Sequence, residues 1–172
     1  GSEVVNDIEV DGANKKWFAT SNSGVFYTSA DGRTEIQRFN KENSPLISNN
    51  VLDIEIDDET GMVYFGTDLG LVSFQGVATE GGDQNFDVYA YPNPVQPGYE
   101  GPILIRGLVS NAQVKITDVE GNLVFETIAE GGQAIWSGKD FSGNRAKTGV
   151  YLAYITNDLG SATEVTKILI VN

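Results

Sequence analysis

Asp53, Asp57 and Asp140 are the side chains of this 172-residue chain whose type best suits them to chemistry. Paired carboxylates can protonate a glycosidic oxygen and activate a water, so a glycoside hydrolase is the enzyme to weigh them against. Each of the three falls in a strand-like or turn-like stretch where acids are ordinary, and no second motif supports them. Converging geometry, not acid content, makes such a site. The run "DIEIDDETG" (53–61) invites comparison with a calcium loop, yet it lacks the alternating acid spacing and the bidentate glutamate. A solvated hairpin turn is the plainer expectation. The chain has no histidine, which removes Ser-His-Asp and Cys-His arrangements and the usual base near neutral pH. It has no cysteine, which removes thiol nucleophiles, thiolate zinc sites and disulfides. A non-enzymatic protein is expected, with no catalytic residue, no metal site and no cofactor.

The formal charge is −13, from 24 acids against 11 bases. Up to Phe86 there are 15 acids and 5 bases, and from Asp87 there are 9 and 6, so the excess sits in the first half. A phosphate-bearing partner gains nothing from such a surface, so no nucleic acid is expected there. No apolar run approaches a membrane span; the longest aliphatic one, "ILIV" (168–171), suits a buried strand. The opening Gly-Ser reads as an expression remnant, and the residues after it start mid-pattern, as in a piece of something longer.

The elements that would position any site are strands. "VNDIEVD" (5–11) repeats as "VLDIEID" (51–57), and "KWFATSNSGVFY" (16–27) as "VYFGTDLGLVSF" (63–74), at an offset of 46 to 47 residues. Two copies at that period are what blades of a β-propeller look like. The first copy reads as four strands, at 5–11, 16–21, 24–29 and 34–40; the second supplies three and then dissolves into "VATEGGDQ". Trp17, Phe18, Tyr27, Tyr64 and Phe65 could stack on sugar rings, but strand aromatics more often pack blade against blade.

The shared pattern resembles the two-component-regulator propeller repeat. It is carried by Asp11, Trp17, Phe18, Ala19, Thr20 and Gly24, and again by Asp57, Gly61, Tyr64, Phe65, Gly66, Thr67 and Gly70. The resemblance implies an all-β fold in which residues 1–80 are the C-terminal fragment of a propeller, about one and a half blades. Such a piece exposes an apolar face and strand edges that neighbouring blades would cover. A strand-paired or swapped homodimer is one expected consequence.

"YAYPNPVQPGYEGP" (89–102) holds four of the five prolines. Proline fixes φ and lacks an N–H, so this cluster marks a seam and not a paired strand. A linker is expected at 81–86 and a second unit over 87–172. Seven short runs follow, "FDVYAY", "PILIRGL", "AQVKITD", "LVFETI", "QAIWSG", "GVYLAYI" and "EVTKILIV", separated by turns such as "VEGN", "FSGN" and "NDLGS". That spacing suggests a seven-stranded immunoglobulin-like β-sandwich. Gly121 and Gly143 are placed to take positive φ in the hairpins, with Asn122 and Asn144 able to tolerate it.

Tyr91 to Pro94, Val114 to Asp118 with Gly121, Gly149 to Tyr151, and Lys167 to Val171 together resemble a type IX (Por) secretion C-terminal sorting domain. The segment 135–151 also resembles flagellar-hook-cap immunoglobulin-like domains, which share the fold without the secretory role. Propeller repeats followed by a sorting domain imply a secreted, outer-membrane-surface or periplasmic protein. Its partners would be secretion-machinery proteins that attach anionic lipopolysaccharide to cargo, and the lipopolysaccharide or another polysaccharide itself. The expected docking element is the final strand, Glu164, Val165, Thr166, Lys167, Ile168, Leu169, Ile170 and Val171, which could pair edge-on with a partner. Contacts to an anionic glycan would fall on Arg106, Lys115, Lys139, Arg145 and Lys147. The alternative is the extracytoplasmic, polysaccharide-sensing propeller region of a two-component regulator.

Overall fold

A computed structural model describes residues 3–157 and 163–172, and among these the regular elements are all strands. The chain divides into two units, residues 1–80 and 81–172.

In the first unit, β1 (Val5–Val10), β2 (Lys16–Thr20), β3 (Val25–Thr28) and β4 (Glu35–Phe39) form an antiparallel sheet in chain order. A second sheet holds β5 (Val51–Asp57), β6 (Met62–Thr67) and β7 (Gly70–Gln75), again in chain order and one strand short of the first. The repeat extends to the pairing. Ile8 lies opposite Phe18 as Ile54 lies opposite Phe65, and each ladder shifts register at the same place, between Val5 and Asp7 and between Val51 and Asp53. The one-residue change of offset between the copies falls instead in the turn that follows, where five residues separate Val10 from Lys16 and six separate Ile56 from Val63.

Trp17, Ala19, Val25, Tyr27 and Phe39 line the face of the first sheet that meets Ile54, Val63 and Phe65 of the second. Trp17 stacks on Tyr27 at 4.0 Å, and Phe74 meets Phe39 edge-on at 4.8 Å. Trp17, Tyr27 and Phe65 are therefore core residues, Phe18 is half-buried, and Tyr64 is exposed. Asp11 is buried beside this cluster. One carboxylate oxygen accepts the N–H groups of Ala13 and Lys15; the other accepts the Trp17 indole N–H at 3.2 Å and the Tyr27 hydroxyl at 3.0 Å. A buried carboxylate needs such a set of donors to offset its lost hydration.

The second unit holds β8 (Tyr89–Tyr91), β9 (Ile103–Arg106), β10 (Gln113–Asp118), β11 (Leu123–Ile128), β12 (Gln133–Trp136), β13 (Gly149–Thr156) and β14 (Thr163–Ile170). They pair as β11-β10-β13-β14 and β12-β9-β8. Ile103, Ile105 and Trp136 from the smaller sheet join Val114, Ile116, Ala153, Ile155, Ile168 and Ile170 from the larger in one core. Alternation at period two sends every second residue inward, as two packed sheets require.

Two details depart from the sequence reading. The run expected as a strand from Phe86 pairs only from Tyr89, because Asp87 takes a left-handed φ of 50° while the Phe86 N–H bonds to the Gly107 carbonyl. In the two hairpins only the glycines take positive φ, 89° at Gly121 and 81° at Gly143. Asn122 and Asn144 instead donate their side-chain N–H groups to Asp118 and Asp140, four residues back. The "NDLGS" turn lies, apart from Asn157, outside the described residues. Residues 82–86 run along 107–109, with Gly82 N–H on the Leu108 carbonyl and Val109 N–H on the Asn85 side chain.

Candidate docking site

Two of the three carboxylates that could have served chemistry are engaged in closing turns. Asp57 accepts the N–H groups of Glu59 and Thr60 and the Thr60 hydroxyl. Asp140 accepts Ser142 N–H and Asn144 N–H, as Asp118 does with Glu120 and Asn122. Hydrogen bonds hold all three below the usual aspartate range: the Thr60 hydroxyl first for Asp57, the Asn144 main chain for Asp140, the Asn122 side chain for Asp118. Asp53 lies on β5, opposite Gly66. Among the described residues no cluster of three or more acids is placed to hold a metal ion.

The final strand is a more informative place. β14 pairs with β13 on one side and ends its sheet on the other. Ile168 and Ile170 point into the core, while Val165, Lys167 and Leu169 stand on the outer face. The outward-directed main-chain groups belong to the same odd-numbered residues. Half of them are taken by the proline-rich seam. Asn93 donates to the Lys167 carbonyl at 2.8 Å and accepts the Leu169 N–H at 2.9 Å, its side chain standing in for a strand residue. Val95 continues the mimicry: its N–H bonds to the Leu169 carbonyl, and its carbonyl accepts the Val171 N–H. Pro92 and Pro94 have no N–H, so the Asn93 amide and Val95 supply the polar groups here. The edge is thus closed from Lys167 to Val171. By parity along the strand, the outward groups of Val165 are its open continuation.

Tyr151, from the "GVY" motif, packs edge-on against Trp136 with ring centroids 5.4 Å apart and donates its hydroxyl to the Lys147 carbonyl. Burial pushes its pKa above the usual tyrosine value. The Trp136 indole donates to the Lys139 carbonyl, which ties the 137–146 hairpin to the core. Of the five basic residues considered for a glycan, Lys139 and Arg145 face each other across that hairpin, and Lys147 follows it. Lys115 lies on the outer face of the larger sheet, in a shallow depression with Glu126 and Ile128. Arg106 belongs to the other sheet and bonds Gln133 through its Nε. Three are gathered in one region and two are not. Asn93 entered the sequence reading only as part of the Tyr91 to Pro94 motif; its role in closing the β14 edge was missed, although a lone amide between two prolines was the available signal.

Residues 89–172 match the family described as the secretion system C-terminal sorting domain. The second unit is a type IX sorting domain. The sorting domain marks an extracellular or cell-surface protein. The chain as a whole is 35% identical to PorZ of Porphyromonas gingivalis, described as an essential bacterial surface component of the type IX secretion system. The match covers 99% of this chain and 23% of that one, with a TM-score of 0.66, so the chain spans less than a quarter of PorZ. Propeller-type repeats followed by a sorting domain are its PorZ-like architecture. Two further structures share 17% and 12% identity: a biofilm-associated protein (BSP domain) and the extracellular domain of the one-component system BT4673 from B. thetaiotaomicron. They cover 91% and 99% of this chain and 22% and 26% of their own, with TM-scores of 0.35 and 0.33, too low to carry an argument. No curated protein matches the chain.

Proposed function

We propose that this chain is a non-enzymatic part of a PorZ-like surface component of the type IX secretion system, and that its sorting domain docks on a secretion-machinery protein. In this reading residues 1–80 are propeller repeats, 81–86 the connector and 87–172 the docking module. The partner adds a strand beside the open half of β14, bonding the outward N–H and carbonyl of Val165, with Val165 and Lys167 side chains read from the outer face. The observation that carries the proposal is this half-closed edge, in a domain that matches a sorting family. An anionic glycolipid would meet the Lys139, Arg145 and Lys147 hairpin, which carries three of the six basic residues of the second unit.

Val165→Pro tests the docking. It deletes an outward N–H and leaves the bonds of Glu164 and Thr166 to β13 in place. In a type IX-competent bacterium, export or surface retention of the variant should be lost while its thermal melt stays near that of the parent. Normal display of a folded V165P protein would refute the docking edge.

A further inference from the structure

The outer face of an antiparallel sheet ordinarily carries polar side chains, because only its inner face meets the opposing sheet. The larger sheet of the sorting domain departs from this along β13. Its run "GVYLAYI" is apolar at both parities: Tyr151, Ala153 and Ile155 are buried, while Val150, Leu152 and Tyr154 stand on the opposite side. Register extends the band onto β14, where Val165 lies opposite Tyr154 and Leu169 opposite Val150. Val150, Tyr154, Val165 and Leu169 are 36 to 48% exposed. Two lysines frame the band: Lys115 of β10 lies opposite Tyr154, and Lys167 of β14 opposite Leu152. Neither ammonium has a hydrogen bond or ion pair among the described residues, although Glu126 is the cross-strand neighbour of Lys115. The chain enters this unit on its other side, since residues 82–86 run along 107–109 and lead into β8 of the smaller sheet.

We propose that this band is a protein-docking surface, and that its occupant is an aliphatic face of the secretion-machinery partner with carboxylates opposite Lys115 and Lys167. The inference rests on the reading that the sorting domain docks on that machinery, and it extends the contact from the β14 edge over β14 and β13 as far as Lys115. A strand apolar on both faces is built to be covered on both. Tyr154, with Lys115 on one side and Val165 on the other, is the anchor: a large ring that loses little conformational freedom when it is covered. Charge selects a protein over a lipid surface. At −13 the chain as a whole is repelled by anionic headgroups, whereas a local pair of carboxylates meets only the two lysines.

The test uses two preparations of outer-membrane vesicles, one from a type IX-competent bacterium and one from a strain with the secretion machinery deleted. Binding of the full chain is followed by co-sedimentation at several salt concentrations. The parent should bind the first and not the second, and more weakly as salt rises. Tyr154→Ser should weaken binding about tenfold, and Leu169→Ser, on the neighbouring strand, should act in the same direction. Lys115→Ala should weaken it about threefold and flatten the salt dependence. All three positions are exposed, so the variants should melt near the parent. Val165→Pro in the same assay separates edge from face. If it abolishes binding while the three face variants bind like the parent, the edge stands and the face is overturned. Loss with the face variants but not with Val165→Pro keeps the face and removes the edge. A parent that does not bind the competent vesicles overturns both. Equal binding to the two preparations assigns the band to lipid or glycan and overturns the protein partner.

Discussion

At the scale of single residues, aspartate does most of the organising, and in two different ways. Asp11 is buried and satisfied by four donors, two of them the side chains of core aromatics. Asp11→Ala removes the acceptor of the Trp17 indole N–H and of the Tyr27 hydroxyl, at a cost of about 3 kcal/mol. Trp17 and Trp136 are the only tryptophans, one in each unit, so a Trp136→Phe background isolates the Trp17 fluorescence in a urea titration of this variant. An unmoved midpoint would mean that the donors find other partners. Asp57, Asp118 and Asp140 are half-buried and close turns, each with its pKa held down by its own loop. A depressed folded-state pKa gives stability that is complete above the unfolded value of 3.8 and is lost as pH falls through the folded one. The urea midpoint of the sorting domain should therefore drop on acidification below about pH 4, and Asp118→Asn should flatten that dependence. Glu9 runs the other way: burial, and then Asp7, Glu55 and Asp58, raise its pKa, so its ionised form works against folding and its contribution is lost as pH rises. Glu9→Gln should raise the first unit's midpoint at neutral pH, and a lowered midpoint would contradict that assignment.

At the scale of elements, the proline-rich seam acts as a partial strand. Flanked by two residues without N–H groups, Asn93 offers one donor and one acceptor at strand spacing and closes the outer half of β14. An exposed edge invites pairing with any available strand, and a short clamp of this kind limits where that pairing can occur. Asn93→Ala removes both bonds at an exposed site, so about 1 kcal/mol is expected from the melt. The sharper readout is hydrogen exchange, where the Leu169 amide should lose protection while its even-numbered neighbours, bonded to β13, keep theirs. Equal exchange in parent and variant would show that Val95 alone holds the seam. The 137–146 hairpin is anchored in a comparable way, by the Trp136 indole on the Lys139 carbonyl and the Asn172 amide on the Ala146 carbonyl.

At the scale of the whole molecule, two forms of construction share one chain. The sorting domain closes its core between two sheets, with isoleucines from both buried completely. The first unit has a core only where one repeat meets the next, so its outer faces keep the apolar residues of the repeat without their cover. Stability in such an array is a sum of repeat and interface terms. The chain-level expectation follows: with a separate core in each unit, Trp17 and Trp136 fluorescence should report two distinct transitions in a urea titration, and a single coincident transition would contradict it.

Much of this was legible in the sequence because it depends on local chemistry. Period-two alternation marked the strands, the 46-residue repeat predicted two blade-like copies, and the Gly-Asn pairs at 121–122 and 143–144 announced the hairpins. The missing fourth strand was visible as a loss of alternation after Gln75. What depended on residues far apart in the chain was not legible. Nothing local distinguishes Ile8 from Ile54, which have the same neighbours in sequence and opposite burial, because burial is set by which sheet stands opposite. Asn93 reaches β14 across more than seventy residues, and whether an edge is open depends on what folds back against it. Sequence alone determined the elements and the kind of surfaces they make; the tertiary structure decided which surfaces stayed uncovered, since covering is a contact between segments that sequence spacing does not encode.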